Sequence, residues 1–439
     1  MVRFLLVLLV ACYSTITPAQ AANPQVLRIH GSNTVGASLA PSLLDAWLKQ
    51  KGYPVITKKQ TANEEHLITA ENANGKIIRI ELHAHGSSTS FRDLAVGKAD
   101  LGMSSRPIKP KEIKKLAPLG NMSSASSEYV IALDGLSVIV HPQKPLRSIN
   151  KSRLKQIFAG KITHWSQLGI AGGRINVYAR DNKSGTYDTF KSLVLGKKTP
   201  LVKGARRYES NAKLSDDVAM DRNGIGFTGL AYVRQSKALA ISDEAAAALK
   251  PLPFNVSTED YALARRLFLY LPEKNRQPLL KEFAEFAISA AAQPVVDKVG
   301  FVSQKIHARQ YNLPDHAPQE YKTQTNGAKR LSLNIRFRQG DVKLDNKAVR
   351  DIARLAKFVK LAENRNKKIM LLGFSDSLES LPYASLSLSV SRADSVADQF
   401  VRHRITPSIT RGHGADLPVA SNKTEKGRNK NRRVEVWIK

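Results

Sequence analysis

Three times in the first half of the chain, an apolar strand-like run passes directly into a Gly/Ser/Thr loop that opens an amphipathic helix. The loops are His30-Gly31-Ser32-Asn33-Thr34, Gly86-Ser87-Ser88-Thr89-Ser90 and Arg180-Asp181-Asn182-Lys183-Ser184-Gly185-Thr186. A helix start carries unpaired N–H groups and partial positive charge. Glycine lets a small anion approach those groups, and the hydroxyls add further donors. Strand–loop–helix repetition points to an α/β architecture with parallel strands, in which ligands sit at the carboxyl ends of the strands. Three such ends converging would form a cage of neutral donors for an oxyanion, with Arg180 supplying a full charge.

The apolar periods support this layering. Residues 26–29 and Ile78, Ile80 and Leu82 alternate as strands, whereas Leu39, Leu43, Leu44 and Trp47 share one helical face. Phe91, Leu94 and Ala95 follow the second loop at helical spacing, as Phe190, Leu193 and Val194 follow the third. Residues 25–310 therefore read as one α/β domain. Residues 311–330 are rich in Pro, Asn and polar residues without an apolar period, and read as a linker. Residues 331–439 form a second α/β unit: Leu331, Leu333 and Ile335 alternate, and Val349, Ile352, Leu355, Ala356 and Val359 trace a helix.

The formal net charge of +31 favours polyanionic partners. The N-terminus narrows the choice. Arg3 precedes the apolar run 4–11, and Ala19-Gln20-Ala21 fits a cleavage site, so residues 1–21 read as a secretory signal. Export makes nucleic acid an unlikely target and cell-envelope anions better ones. The mature chain carries no run long enough to span a bilayer. Cys12 is the single cysteine, so a cleaved chain has no disulfide. Leu9-Val10-Ala11-Cys12 offers the alternative of a lipid anchor at Cys12.

The stretches 134–140 and 154–165, the loop from Arg180 to Thr186, and Asn223-Gly224-Ile225-Gly226-Phe227 occur in an order that resembles the PstS-type periplasmic phosphate-binding proteins. The resemblance covers about residues 25–310. It implies the two-lobed type II binding-protein fold, closing on phosphate or a similar oxyanion in the interlobe cleft, with an ABC permease as a possible partner. By motif, the ligand-binding residues would be Ser32, Asn33, Thr34, Ser87, Ser88, Ser104, Ser105, Arg180, Ser184, Gly185 and Thr186. Ser105 stands where many family members have an aspartate. A serine both donates and accepts, so the expectation is weaker discrimination between phosphate and sulfate. Asp181 is the candidate carboxylate to brace Arg180.

In the last unit, Gly373-Phe374-Ser375-Asp376, Leu388-Ser389-Val390-Ser391-Arg392-Ala393 and Gly427-Arg428-Asn429-Lys430-Asn431-Arg432-Arg433-Val434-Glu435 resemble the OmpA-like peptidoglycan-binding domain. The resemblance implies that Asp376 and Arg392 grip the amine and carboxylate of a diaminopimelate side chain. One acid and one forked base suit a zwitterion.

Ser184 has no evident histidine base, and neither a Gly-x-Ser-x-Gly elbow nor a His-Glu-x-x-His pair occurs. His83-Ala84-His85 places two rings on one strand face, but no third ligand is evident nearby in sequence. The expectation is a periplasmic, wall-associated binding protein that is not an enzyme and needs no metal and no cofactor. The rival readings are an envelope structural protein with a degenerate anion site and a phosphoester hydrolase.

Overall fold

The computed structural model describes residues 25–439 apart from 197, 245, 276, 338–343 and 379–381. The expected export signal and Cys12 lie outside the described residues.

Burial of Leu27 and Ile29 seats β1 (Gln25–Gly31) in the first lobe. It is followed by α1 (Leu39–Gln50), whose Leu39, Leu43, Leu44 and Trp47 are all buried as their spacing requires. The hairpin β2 (Val55–Ala62) and β3 (Glu65–Glu71) leads to β4 (Ile77–His83), α2 (Ser87–Ala95) and β5 (Leu101–Ser104). β1 runs parallel to both β4 and β5. The long strand β6 (Glu128–Val140) then crosses between two hydrophobic cores, placing Tyr129 and Ile131 in the first and Leu136 and Val138 in the second. The second lobe holds β7 (Asn176–Arg180), α3 (Gly185–Phe190), β8 (Arg206–Tyr208) and β9 (Gly224–Gly229). The chain returns to the first lobe through β10 (Ala264–Tyr270).

These ten strands follow the order β2-β3-β4-β1-β5-β10-β6-β9-β7-β8 in an 11-stranded sheet whose remaining strand, Lys237–Ala238, pairs with β6. The expected parallel pairing holds for β1 with β4 and β5 and for β7 with β8 and β9, but β3 runs antiparallel to β2 and β4, β10 to β5, and β6 to both β9 and β10. β6 carries the chain out of the first lobe and β10 carries it back, so they must oppose. The first Gly/Ser loop also differs from expectation. It opens only the short turn Asn33–Gly36, and the amphipathic helix begins after it, at Leu39.

The C-terminal unit comprises β11 (Lys329–Arg336), α4 (Asn346–Val359), β12 (Ile369–Phe374), α5 (Pro382–Arg402), β13 (Ile409–Gly412) and β14 (Arg433–Ile438). Its sheet runs in the order Ala308–Arg309, β11, β14, β12, β13. α4 forms as expected, but Val349 is 56% exposed and lies off its buried face.

Residues 311–330 are not a structureless connector. Helix Gln319–Thr325 buries Tyr321, whose hydroxyl donates to Glu435 Oε2 at 2.7 Å and whose ring packs beside Phe374 and Trp437. Its few anchoring aromatics are too irregularly spaced to show a period among the prolines and polar residues. The alternation of β11 likewise hides a second interface. Leu331, Leu333 and Ile335 face the C-terminal core, while Arg330, Asn334 and Arg336 are buried against residues 258–260 of the two-lobed unit. Asp260 accepts from Arg330 at 2.8 Å, from Asn334 at 2.9 Å and from Arg336 at 3.2 Å. Arg266 of β10 adds an ion pair to Asp345 at 2.7 Å. The C-terminal unit is thus bolted to the segment that feeds one of the two strands joining the lobes.

Candidate functional site

The three loops meet. Thr34 of the first loop and Thr186 of the third place their hydroxyls 2.8 Å apart across the lobes. The Ser105 N–H donates to Ser87 Oγ at 2.9 Å, and the two hydroxyl oxygens are 3.3 Å apart. Gly185 faces this pair so closely that a Cβ built on it would lie 2.0 Å from Ser87 Oγ. Gly86, at φ 117°, lets the second loop approach the Lys183 carbonyl, which would stand 2.4 Å from an added Cβ. That approach and that backbone angle both require glycine.

Arg180 ends β7 and is 1% exposed. Its Nε donates to the Tyr208 carbonyl at 3.1 Å, and its Nη2 donates to the Glu209 carbonyl and, at 3.4 Å, to Asn33 Oδ1. Its buried Nη1 has no hydrogen-bond partner. Burial pushes the guanidinium down to about 10, with Asp181 opposing and Arg265 adding to the depression. A buried cation with one undirected donor end is costly unless an anion completes it. Asp181 does not brace the guanidinium by a hydrogen bond. Its Oδ1 accepts from the N–H groups of Lys183 and Ser184 at 2.6 and 3.1 Å, and two backbone carbonyls orient the arginine instead.

Not every expected donor faces the cleft. Ser104 turns its hydroxyl to the Arg106 carbonyl at 2.7 Å. Ser184 Oγ caps α3, accepting from Thr186 and Tyr187 N–H groups at 3.1 and 3.3 Å, so its hydroxyl proton is what remains to donate. The Ser32 N–H is held by the Met103 carbonyl at 2.9 Å. The Ser88 N–H faces the Lys183 carbonyl at 3.5 Å.

Sequence reasoning missed a second cation. Arg265 on β10 donates from Nε and Nη2 to Asp134 Oδ2 on β6, at 2.8 and 2.6 Å, and from Nη1 to Thr186 Oγ1 at 2.9 Å. The pair is almost wholly buried where the joining strands meet the cleft. Asp134 interrupts the apolar run of β6, and that interruption was the available signal. Asn211 was also missed: its amide donates to Asn33 Oδ1 at 3.1 Å and to Thr34 Oγ1 at 3.3 Å. At the cleft rim, Asp188 of the second lobe accepts from Arg106 at 2.9 Å and Lys109 at 2.6 Å.

In the C-terminal unit, Asp376 and Arg392 are both fully buried. Asp376 Oδ2 accepts from Arg432 Nη1 at 2.6 Å, a partner supplied by the basic tail motif and missed in the sequence. Arg392 donates to the Phe374 carbonyl at 3.3 Å and lies over the Phe337 ring. A groove of about 460 Å³ opens in the same unit, lined by Ser377, Ser385, His413, Gly414 and Asp416 among others.

Two lobes joined by an antiparallel strand pair, with glycine-rich loops and an incompletely partnered buried arginine between them, define a solute-binding protein of the two-lobed class. The chain belongs to the PBP superfamily: the PBP superfamily domain matches residues 19–291, and the OmpA family matches residues 336–432. It is 31% identical over 239 residues to Protein SphX of Synechococcus elongatus, covering 52% of this chain and 69% of that protein. It is 29% identical over 227 residues to the phosphate-binding protein PstS of Staphylococcus epidermidis, covering 50% and 68%. The Staphylococcus epidermidis relative is a binding protein rather than an enzyme. The fold matches a substrate-binding protein of Clostridium perfringens with bound phosphate, at a TM-score of 0.51 and 24% identity over 64% of this chain and 99% of that one. No helix among the described residues is long and apolar enough to cross a membrane.

Proposed function

We propose that this chain is an exported receptor that closes its lobes on inorganic phosphate, is held to peptidoglycan by residues 331–439, and presents its ligand to an ABC permease. The reading includes a cleaved signal at residues 1–21, a receptor domain over 25–310 and an envelope location. The observation that carries it is the buried Arg180 Nη1, which lacks a partner among the hydroxyls and amides of the three loops. Thr34, Ser87, Ser105, Gly185 and Thr186 surround the ligand, with Arg180 supplying charge and Arg265 orienting Thr186. The likeness to the phosphate-binding protein PstS of Staphylococcus epidermidis supports phosphate as the oxyanion. Serine at position 105 supports weaker rejection of sulfate, because a hydroxyl there donates as well as accepts and does not by itself penalise a fully deprotonated anion.

Calorimetric titration of the mature chain with phosphate and with sulfate tests the receptor half. Binding of phosphate well below millimolar, lost in Arg180→Met with the fold retained, is expected. Unchanged binding by that variant refutes the site. For the wall half, the full mature chain co-sediments with purified sacculi, and Asp376→Ala and Arg392→Ala weaken this. The full chain is the right reagent because the polar face of β11 is buried against the receptor domain. Undiminished sedimentation of both variants removes these two residues from the wall site.

A further inference from the structure

The His83-Ala84-His85 pair lacked a third ligand in sequence, and the fold supplies one from a neighbouring strand. β1 and β4 pair in parallel with His30 opposite His83, so both rings project from the same sheet face and stack at 4.2 Å between centroids. Glu81 precedes His83 by one period of the strand and shares that face. The candidate ligand atoms of His30, Glu81 and His83 all lie within 4.8 Å of one another. His85 is engaged elsewhere, between Glu65 at 2.8 Å and Glu209 at 3.0 Å.

The second observation is the state of His30. It is 6% exposed, its Nδ1 lies 3.0 Å from Asp93 Oδ2 on α2, and its buried Nε2 has no hydrogen-bond partner. A carboxylate on one ring nitrogen fixes the tautomer that leaves the other nitrogen's lone pair bare, which is the arrangement that orients a metal-binding imidazole. An unsatisfied buried ring nitrogen is otherwise a net cost to the fold. Its neighbours, Glu81 and His83, are only half buried, which gives an ion a route from solvent.

We infer that His30, Glu81 and His83 form a binding site for a divalent late transition-metal ion of the zinc class. Two imidazoles and one carboxylate are the ligand types such ions choose over magnesium or calcium. Bonds of about 2.0–2.1 Å put tetrahedral ligands roughly 3.3 Å apart, so modest side-chain rotations from the observed spacing close the set. The site joins β1, β4 and α2, the elements that carry the first two loops of the cleft. It does not depend on what that cleft binds.

The test uses the mature chain, stripped with chelator, titrated with Zn²⁺ against a chromophoric competitor and with Co²⁺ monitored by visible absorption. One equivalent of tight Zn²⁺ and a tetrahedral Co²⁺ spectrum are expected. Glu81→Gln and His83→Gln, both at partly exposed positions, each weaken Zn²⁺ at least tenfold while far-UV dichroism stays unchanged. Asp93→Asn, which alters the orienting contact and a half-exposed ion pair to Arg92, weakens it about tenfold or more. His85→Gln leaves affinity unchanged. Absence of stoichiometric binding, or loss in His85→Gln equal to that in His83→Gln, overturns the assignment.

Discussion

Gly185→Ala tests whether the cleft closes as described. Gly185 opens α3, where alanine is the better helix former, so the substitution does not burden the second lobe by itself. In the closed form, the new Cβ meets Ser87 Oγ at 2.0 Å, Ser105 Oγ at 2.5 Å and Ser87 Cβ at 2.8 Å. The hydroxyls can rotate away, but Ser87 Oγ then gives up the Ser105 N–H it accepts, and Ser87 Cβ cannot rotate at all. Overpacking costs about 1–3 kcal/mol and the lost hydrogen bond about 1 kcal/mol, both confined to the closed state. Phosphate affinity should fall from about thirty-fold to several hundred-fold, at 1.4 kcal/mol per factor of ten. Calorimetric titration reads this directly, and the melting temperature without ligand should match the parent. Adding Ser87→Ala removes the nearest clash and should recover part of the loss. A dissociation constant within threefold of the parent, with the fold intact, would refute closure around Gly185.

Asp134→Asn strips the charge that compensates the buried Arg265, and should destabilise the receptor domain by about 3–5 kcal/mol in urea unfolding. A loss under about 1 kcal/mol would mean that water already screens the pair. Glu435 gives an acid response. Burial raises its pKa, but Arg330 and Arg433, with the Tyr321 hydroxyl, outweigh that and hold the carboxyl at about 2, below its ordinary 4.5. A depressed carboxylate stabilises the fold above its unfolded value, and the contribution disappears as pH falls from 4.5 towards 2. Glu435→Gln should therefore be less stable near neutrality and show a shallower loss across that window; an unchanged acid profile would refute the linkage. Asp260→Ala leaves Arg330 and Arg336 buried without their shared acceptor, and should release the C-terminal unit from residues 258–260. Limited proteolysis within residues 311–330 should quicken at least several-fold, and an unchanged cleavage rate would refute the role of Asp260 in holding the units together.

Much of the architecture was legible because it is locally encoded. The period of Leu39, Leu43, Leu44 and Trp47 marked a buried helix face, and the alternation of Ile78, Ile80 and Leu82 marked a strand. The Arg180 loop announced a charged helix start, and the glycines at 86 and 185 announced close approach. Errors arose where one segment serves two surfaces. The alternation of Leu331, Leu333 and Ile335 marked β11 as a strand but not what its other face meets: Arg330, Asn334 and Arg336 are buried in an interface whose other half lies some seventy residues earlier, at Asp260. Ser184 is a cap first and only its remaining proton is free, since an N-cap hydroxyl has one role fixed by the helix it starts.

The amino-acid sequence by itself determined the α/β layering, the three donor-rich loops and the placement of one arginine beside them. Those features depend on residues within a few positions of one another, where helix and strand periods and glycine's backbone freedom act directly. Tertiary structure alone decided that Arg265 reaches Thr186, that Asp134 neutralises it, and that His30 stands over His83. Each of those contacts joins residues dozens of positions apart, and only strand order and register, set by how the whole sheet buries its apolar faces, fixes which of them meet.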